Sequence, residues 1–415
     1  MGSNVAISAW EQNVIFTKAK GAKIWLNNEP YLDFACGPGV ANVGHNHPAV
    51  LKTIKQVYDN NEAGYGGNML LNKYQLALAE ELCRITPGKF SKQVFLSNSG
   101  GEAVEAAILA CLKRHPERRG MVSFIGDFHG RLGFCRTATT SRQMHFEQMP
   151  WWPEKTFFLV FPAENPETPS KQELLDDLST PGKYMRYVEN TIGPFINDIN
   201  FALFELIQGE GGINVARKET MRALVEYLRK NKVTVIIDEV QTGLGRTGKM
   251  WASEIYEIEP DIMTIAKALS GGVIPIGATV MREELAFKQA GEHCNTFGAN
   301  SPACAVGLKV LEIVQKENLA KQSETKGKIL RERLKKEIGK LVYDVSGCGL
   351  MSRIAFLNSE IKKKAIVEAK NSGLFLTGAG ENSVRLMPPL VINDQELAKA
   401  IEILIKVIRK VHQKP

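Results

Sequence analysis

Long apolar runs, secretion signals and repeated units are all missing from this sequence of 415 residues. No apolar run approaches the roughly 18 residues that a membrane-spanning helix needs, so we expect no membrane span. The first residues, MGSNVAISAWEQN, lack the charged start and apolar core of a signal peptide. Internal repeats and low-complexity segments are absent, and a composition of 44% hydrophobic and 23% charged residues excludes a disordered, collagen-like or disulfide-scaffold protein.

Disulfide and zinc chemistry are also not expected. The seven cysteines form an odd set without a CxxC pair, and most of them lie in apolar stretches. Such cysteines are typical of reduced thiols in the cytoplasm. We therefore predict a cytoplasmic protein with no bound metal.

Positive charge is only mildly in excess, because 52 Lys and Arg residues stand against 45 Asp and Glu residues for a net charge of +7. The densest basic runs, residues 331–336 and 362–364, fit the solvated faces of helices. We therefore expect no nucleic-acid partner. A mildly positive field suits a small phosphorylated anion instead.

Short apolar runs alternate with longer helical patterns between about residues 50 and 295. The runs are nearly continuous and rich in β-branched residues, which is typical of strands buried on both faces of a mostly parallel sheet. With helices covering both faces, they predict a three-layer α/β domain. The runs are residues 94–96, 121–125, 156–160, 202–207, 233–237 and 262–265.

The end of the chain predicts a second, smaller α+β domain. Residues 303–338 and 392–412 have the pattern of amphipathic helices. They flank two shorter strand-like pieces, at residues 350–356 and 384–387.

The start of the chain is expected to join this smaller domain. Residues 22–34 resemble a hairpin with turn residues at Asn27 and Asn28, a unit too short to fold alone. A polar, Pro-rich segment at residues 163–184 is interpreted as an excursion from the large sheet or a lid. The predicted division is an N-terminal segment at 1–49, a large domain at 50–300 and a C-terminal small domain at 301–415.

Polar or glycine-rich segments follow five of the predicted strands. Ligands of open α/β sheets bind beyond the carboxyl ends of the strands, so these segments are the candidates for a site. They lie at residues 97–105, 126–131, 205–212, 238–243 and 267–272.

The first of these segments combines two glycines with the start of a helix. Gly100 and Gly101 let the backbone approach a ligand closely, and Ser99 with Glu102 has the spacing of a capping box. The free N–H groups of such a helix start favour a phosphate. A capped turn without a ligand is the alternative.

The next two segments offer a ring and two charges. Phe128 could stack on a flat heterocycle, and Arg131 could bind a carboxylate with two hydrogen bonds. Ordinary packing of the ring and a plain surface arginine are the alternatives. Glu210 stands between glycines after a buried strand, where a solvated turn is the alternative.

The last two segments offer an acid and an amine. Asp238 directly follows an apolar run, where an unpaired carboxylate is expensive to bury, so it favours a cationic partner such as a protonated pyridine nitrogen. Lys267 follows the next strand and precedes small residues, which suits a desolvated, nucleophilic amine. A helix cap for Asp238 and a solvated Lys267 are the alternatives. Together with the glycine turn and the aromatic ring, these groups are the parts of a pyridoxal-phosphate site.

Eight stretches of the chain resemble the class-III pyridoxal-phosphate-dependent aminotransferases of fold type I. They cover nearly the whole sequence, and the block from Asp238 to Lys267 is the most specific. The stretches are YLDFACGPGVANVGHNHPAV, FLSNSGGEAVEAAI, GDFHGR, IQGEGG, IIDEVQTGLGRTGKMWA, DIMTIAKALSGGVIPIGA, NTFGANSPACA and VRLMPPLVI. The resemblance implies an α/β fold of type I with pyridoxal 5′-phosphate as its cofactor.

The resemblance also implies a role for each matching residue of the cofactor site. Lys267 would form the internal aldimine and move the proton, and Asp238 would pair with the pyridine nitrogen. Val240 and Phe128 would pack on the two ring faces, and Gln241 would reach the ring hydroxyl. Ser99, Gly100 and Gly101 would hold the phosphate, and Thr296 would reach the phosphate of a partner subunit. His129 and Glu205 complete the candidate cofactor-binding residues.

On the substrate side the chain resembles the branch that contains 4-aminobutyrate, acetylornithine and ornithine aminotransferases. Arg131 would hold the distal carboxylate, and Pro38 would lie near the substrate. Glu210 and Arg385 would form a pair that stays closed for an ω-amine donor. The pair would open for an oxo acid such as 2-oxoglutarate, giving a ping-pong cycle.

The resemblance further implies a homodimer or a dimer of dimers, because Thr296 would act across a subunit interface. An amino-acid racemase of the same fold is the alternative activity. Several positions depart from the usual pattern, and Pro38 and Arg353 among them bear on the substrate. The departures are Pro38, Gly101, Leu206, Asn295, Ala299, Ser346 and Arg353.

Overall fold

A computed structural model describes residues 14–63, 70–146 and 155–413 of the protein. The strands are β1 Phe16–Lys20, β2 Lys23–Leu26, β3 Glu29–Asp33, β4 Lys92–Ser97, β5 Gly120–Phe124, β6 Thr156–Leu159, β7 Ile199–Phe204, β8 Ile207–Gln208, β9 Asn214–Val215, β10 Thr234–Asp238, β11 Ile262–Ile265, β12 Gly277–Arg282, β13 Asp344–Cys348, β14 Met351–Ala355, β15 Leu374–Phe375, β16 Thr377–Ala379 and β17 Ser383–Leu386. The helices are α1 Cys36–Gly39, α2 Pro48–Asp59, α3 Lys73–Ile85, α4 Gly100–Arg114, α5 Gly133–Thr137, α6 Gln143–Phe146, α7 Pro169–Asp176, α8 Pro181–Ile192, α9 Lys218–Lys230, α10 Ala252–Tyr256, α11 Ser301–Lys316, α12 Leu319–Ile338, α13 Ser359–Asn371 and α14 Asp394–His412. Short 3₁₀ helices cover Gly193–Asp198, Lys267–Ser270 and Glu283–Leu285.

The largest sheet has seven strands in the order β4-β12-β11-β10-β7-β5-β6. Strand β10 pairs in parallel with β7 and β11, and β5 pairs in parallel with β6 and β7. Strand β12 pairs antiparallel with β4 and β11. The six predicted runs are the six parallel strands, which confirms the mostly parallel sheet, whereas β12 was not predicted.

Both faces of this sheet are covered by helices. Along β10, Val235 and Ile237 pack in a cluster with residues of α8 and α9 such as Leu224. Ile236, between them, points to the other face and packs in a cluster with Ile108 of α4. The alternation follows from the period of two along a strand. Because both faces of the sheet are covered, the apolar run of β10 is continuous. The predicted three-layer arrangement of helices, sheet and helices is confirmed.

Two further sheets of four strands are built from the ends of the chain, and one of them joins the two ends. The sheet β13-β14-β17-β16 is built from the C-terminal part, and the sheet β1-β2-β3-β15 joins the N-terminal strands to β15. The hairpin β2–β3 turns at Asn27 and Asn28, whose φ angles of 50° and 69° fit a tight hairpin turn. Strand β15 pairs in parallel with β3, with Leu374 opposite Leu32. The smaller α+β part built from both termini is thus confirmed, while the domain boundaries remain predictions.

The pattern at residues 303–338 forms two helices, α11 and α12, rather than one. The break lies at Asn318, which has a φ of 50° in the left-handed region that ends a helix. The segment 163–184 is a packed excursion rather than an open lid. The Tyr184 hydroxyl donates to the Val160 carbonyl at 2.6 Å, and the buried Glu167 accepts hydrogen bonds from the backbone of Asn382 and Ser383.

In the part of the chain that the structure describes, no helix combines the length and apolar character needed to cross a membrane. Over the same residues, no three His, Cys, Asp or Glu side chains are grouped so that they could hold a metal ion.

Candidate active site

The carboxyl ends of β5, β7, β10 and β11 meet at one edge of the seven-stranded sheet. They bring together residues from four of the five predicted segments, including Asp127, Glu205, Asp238 and Lys267. The fifth segment follows β4, whose last residue Ser97 pairs with Gly277 at the start of the antiparallel β12. Parallel strands point their ends to the same side, so residues far apart in sequence share one site.

Asp238 ends β10 and is buried against His129. Its Oδ1 atom accepts a hydrogen bond from the Val240 N–H at 2.9 Å, and its Oδ2 atom lies 2.8 Å from His129 Nδ1. On the other side of the ring, His129 Nε2 lies 3.4 Å from Asp127 Oδ2. Burial lowers the pKa of His129, but Asp127 and Asp238 outweigh it and raise the value to about 10. The charged His129 ring therefore lies between two carboxylates, and one of them, Asp238, stands at the strand end that faces the site.

Asp127 was not among the predicted site residues, although it follows β5 as Asp238 follows β10. Burial raises the pKa of Asp127, and burial together with the charge of Asp127 raises the pKa of Glu205 to about 8. Glu205 accepts hydrogen bonds from the N–H groups of Phe128 at 3.0 Å and Gly209 at 2.9 Å. Glu205 therefore joins the loops after β5 and β7, and this fixes Phe128 relative to the Glu210 turn.

Lys267 begins the 3₁₀ turn that follows β11, and its side chain is half-buried. Its φ of 40° is unusual for a residue other than glycine, which marks backbone strain of the kind found at functional positions. Burial lowers the pKa of the amine; the charge of Glu210 opposes the shift and that of Arg385 adds to it. A lysine whose neutral form is favoured is a better nucleophile.

The start of α4 has the geometry expected for an anion site. Ser99 caps the helix, its Oγ atom accepting from the Glu102 N–H at 3.2 Å. The predicted capping box is only half right, because the Glu102 carboxylate accepts from the Asn98 N–H at 3.1 Å rather than from Ser99. A Cβ atom at Gly100 would lie 3.0 Å from the nearer methyl group of Val240, so only glycine lets the helix start sit this close.

Val240 and Gln241 continue from Asp238 toward the N-terminal segment. Gln241 Nε2 donates to the Pro38 carbonyl at 3.3 Å. Its Oε1 atom is buried and has no hydrogen-bond partner among the described residues. A buried amide oxygen without a partner is costly, and a hydroxyl of a bound molecule would satisfy it. Pro38 itself is exposed, as expected for a residue at the mouth of a site.

Glu210 and Arg385, predicted from positions 175 residues apart, meet as an ion pair. The distance from Glu210 Oε1 to Arg385 Nη2 is 2.6 Å, and Arg385 Nη2 also donates to the Gly378 carbonyl at 2.9 Å. Burial acts to raise the pKa of Glu210, but Arg385 outweighs it and the pKa is lowered. Arg385 Nη1 is buried without a partner among the described residues, so one donor of the guanidinium is left for a ligand.

A second arginine on Glu210 was missed by the sequence analysis. Arg142 Nη2 lies 3.4 Å from Glu210 Oε2. Nothing in the surrounding TTSRQ stretch distinguishes Arg142 from a surface arginine.

Arg131 and Thr296 are placed less tightly than the other predicted residues. Arg131 is exposed; its guanidinium carbon lies 5.8 Å from the centre of the half-buried Phe128 ring, and its Nη2 atom lies 3.5 Å from His145 Nε2. Thr296 is exposed beside Phe297, whose accessible fraction is 73%. Neither has a charged partner among the described residues of this subunit.

Arg353 was expected to bear on the substrate, and its contacts correct that expectation. The side chain is fully buried. It donates to the Gly212 carbonyl at 3.0 Å, to Asn214 Oδ1 at 2.7 Å, to the Asn165 carbonyl at 2.5 Å and to Asp344 Oδ2 at 3.0 Å. All of its donor groups serve the protein, so Arg353 braces the loop that carries Glu210 rather than meeting a substrate.

Residues 6–408 match the class-III aminotransferase family. The chain belongs to this family. It is 33% identical over 406 residues to the acetylornithine aminotransferase of Caldanaerobacter subterraneus, with 96% of this chain and 95% of that protein covered. It is 30% identical over 407 residues to a probable 4-aminobutyrate aminotransferase of Bacillus subtilis, covering 93% and 91% of the two chains. Among solved structures, the ornithine aminotransferase of Toxoplasma gondii superposes with a TM-score of 0.84 at 25% identity, covering 98% of this chain and 92% of that one.

This class-III aminotransferase therefore has the type I fold and pyridoxal phosphate as its cofactor. The Toxoplasma enzyme is described with that cofactor at its active site. The residues of this chain fit the same group. Gly100 leaves a cradle at a helix start for a phosphate, Gln241 has a buried oxygen without a partner among the described residues that suits a hydroxyl, and Asp238 offers a carboxylate to a ring nitrogen.

Proposed function

We propose that this aminotransferase moves the ω-amino group of an amino acid to an oxo acid such as 2-oxoglutarate, in a ping-pong cycle. The donors we propose are acetylornithine, ornithine or 4-aminobutyrate. The observation that carries the proposal is the Glu210–Arg385 pair at 2.6 Å, whose charges both act on Lys267. A closed pair hides the arginine while an ω-amine reacts, and an open pair offers it to the acceptor.

The proposed chemistry divides among the residues of the chain. When bound, pyridoxal phosphate supplies a carbonyl carbon that bonds to amines and a ring that takes up electrons from a breaking C–H bond. Lys267 would hold this group, take the proton from the donor carbon and return it to the carbon that the cofactor's carbonyl supplies. Asp238 keeps a proton on the ring nitrogen, supported by the charged His129 behind it.

The remaining residues bind and orient. The N–H groups of Gly100 and Gly101 hold the phosphate, with Ser99 capping the same helix start. Val240 and Phe128 confine the ring between them, and Gln241 meets its hydroxyl. Arg131, exposed at the mouth, binds the distal carboxylate of the donor.

We further propose that the working unit is at least a homodimer. Thr296 stands on the surface next to Phe297, whose accessible fraction is 73%. A partner subunit would cover the Phe297 ring, and Thr296 would then reach the cofactor phosphate bound in that partner subunit. A cytoplasmic location remains a prediction from the free cysteines.

The racemase alternative is not favoured, because the relatives named above are aminotransferases. The test is an absorbance scan of the cofactor-loaded protein, without any oxo acid, against a panel of ω-amines and α-amino acids. We expect the visible band of the bound cofactor to disappear with ω-amines and to return when 2-oxoglutarate is added. A band that persists with every donor contradicts the proposal and favours the racemase.

The matched variant for this test is Lys267→Ala. Removing the amine that holds the cofactor and moves the proton should abolish turnover, while the fold and the dimer remain. Turnover retained by this variant contradicts the assignment of Lys267.

A further inference from the structure

Glu210 has two arginine partners, and each arginine contacts a different oxygen of its carboxylate. Arg385 Nη2 lies 2.6 Å from Oε1, and Arg142 Nη2 lies 3.4 Å from Oε2. Because the two contacts use different oxygens, Arg385 can leave without disturbing the contact to Arg142. The Glu210 and Arg142 side chains are accessible to 17% and 18%, so the pair they form is largely shielded from water.

Among the residues that the structure describes, Glu210 is the acid that acts most strongly on Arg142. Burial lowers the pKa of the Arg142 guanidinium, and among the neighbouring charges Glu210 opposes this most strongly. Arg385 and Arg131 act in the same direction as burial, and the buried Glu167 acts against it. Glu210 therefore lies between Arg385 and Arg142 and moderates the repulsion that Arg142 experiences from Arg385 and Arg131.

The proposed cycle requires Glu210 to give up Arg385 in one of its two halves. An oxo acid with two carboxylates occupies both Arg131 and Arg385, so the Glu210–Arg385 pair must open. A partly buried carboxylate left without a counter-charge is costly. Arg142 already contacts Glu210 Oε2, so it supplies a counter-charge to Glu210 without a further rearrangement.

We infer that Arg142 is a positioning residue that holds Glu210 while Arg385 binds the acceptor. The inference rests on the proposed function. Arg142 should therefore strengthen the binding of dicarboxylates, because these ligands open the Glu210–Arg385 pair. It has little effect on monocarboxylates, which leave Arg385 on Glu210.

The test compares the binding of glutarate and pentanoate, two unreactive acids that differ by one carboxylate, to the cofactor-loaded enzyme. Dissociation constants come from titration calorimetry. We expect Arg142→Gln to weaken glutarate binding about tenfold, or roughly 1.4 kcal/mol, and pentanoate binding less than about twofold. Arg142→Lys keeps the charge but loses the planar fork, so its loss for glutarate is expected to be about threefold.

The matched control is Arg282→Gln. Arg282 Nε donates to Asp261 Oδ1 at 2.7 Å, and its side chain is 27% accessible. It ends β12 opposite Lys92, at the edge of the sheet away from the site, so both acids should bind this variant as they bind the wild type. Steady-state kinetics add a second readout: Arg142→Gln should raise KM for the oxo acid while the rate of the donor half-reaction stays unchanged.

The outcomes separate the inference from the function on which it rests. Unchanged glutarate binding in Arg142→Gln, or an equal loss for both acids, overturns the role of Arg142. If Arg142→Gln does not fold, an unchanged glutarate-to-pentanoate ratio in Arg142→Lys overturns it as well. The wild type is scanned with ω-amine donors in the same series: no loss of the visible band there overturns the proposed function and the inference together, whereas a normal wild-type response confines the failure to Arg142.

Discussion

The buried guanidinium of Arg353 allows a sharp prediction about stability. Replacing it with methionine keeps the volume and the apolar stem but removes every donor. The carbonyls of Gly212 and Asn165 and the Asn214 side chain then lose the hydrogen bonds from Arg353, and the Asp344 carboxylate loses its charged partner but keeps the Ser346 hydroxyl. Removing one partner of a buried ion pair costs about 3–5 kcal/mol. Because the Asp344 side chain is still 17% accessible and regains some hydration, we expect a loss near the lower end.

The assay is urea denaturation followed by circular dichroism, with the wild type and Arg353→Met compared under identical conditions. Arg282→Met is the control, since it removes an arginine from a more accessible pair and leaves Asp261 bonded to the Val235 N–H at 2.9 Å. We expect about 1 kcal/mol or less for the control. A loss for Arg353→Met no larger than that of the control would refute the bracing role.

Two further predictions concern the acid cluster and the helix start. The pKa values of His129 and Glu205 are raised in the folded protein, to about 10 and about 8, from ordinary values of 6.5 and 4.5. A group whose pKa is raised in the folded protein adds to the free energy of unfolding. This contribution is fully present below the ordinary pKa of the group and is lost once the pH has risen through its pKa in the folded protein. The urea midpoint of the cofactor-free protein should therefore fall steadily from pH 4.5 to 10. His129→Gln should flatten this fall between pH 6.5 and 10. A wild-type midpoint that rises over this range contradicts the buried charge arrangement. At the helix start, Gly100→Ala puts a methyl group 3.0 Å from Val240, and overpacking of about 1–3 kcal/mol should weaken binding of pyridoxal phosphate roughly tenfold or more. A Cβ atom at Gly101 would lie 3.1 Å from the side chain of Leu132, which is 48% exposed and can therefore give way more easily than Val240, so equal losses in Gly101→Ala and Gly100→Ala would contradict the close-approach argument.

Much of the large sheet was predictable because the signal for each strand is local. Strand β10 is buried on both faces, so every position from 234 to 238 is buried and the apolar run has no gaps. Strand β12 gave no such signal. It begins with Gly277 and Ala278 and ends with the charged Arg282, so its apolar core is too short to stand out.

The site was predictable to the extent that it follows from strand ends. Asp238 and Lys267 each follow a buried strand, and parallel strands bring their ends to one edge whatever their distance in sequence. The same logic should have found Asp127, which follows β5 after two intervening residues. The capping box was only half right because the Glu102 N–H donates to Ser99 Oγ as the spacing predicts, whereas the Glu102 carboxylate accepts from the N–H of the neighbouring Asn98.

The sequence by itself determined the fold class and the family, and it set the order of the proposed cofactor residues, because these depend on local patterns and on motifs along the chain. Apart from the Glu210–Arg385 pair, which the resemblance implied, only the tertiary structure decided which charges pair. Arg142 meets Glu210 across 68 residues, Arg353 braces the Glu210 loop from 139 and 141 residues away, and His129 joins Asp238 across 109 residues. A charged side chain has the same letter whether it is solvated or buried in an ion pair. Its role is fixed by the partner that folding brings to it, and that partner leaves no trace in the neighbouring sequence.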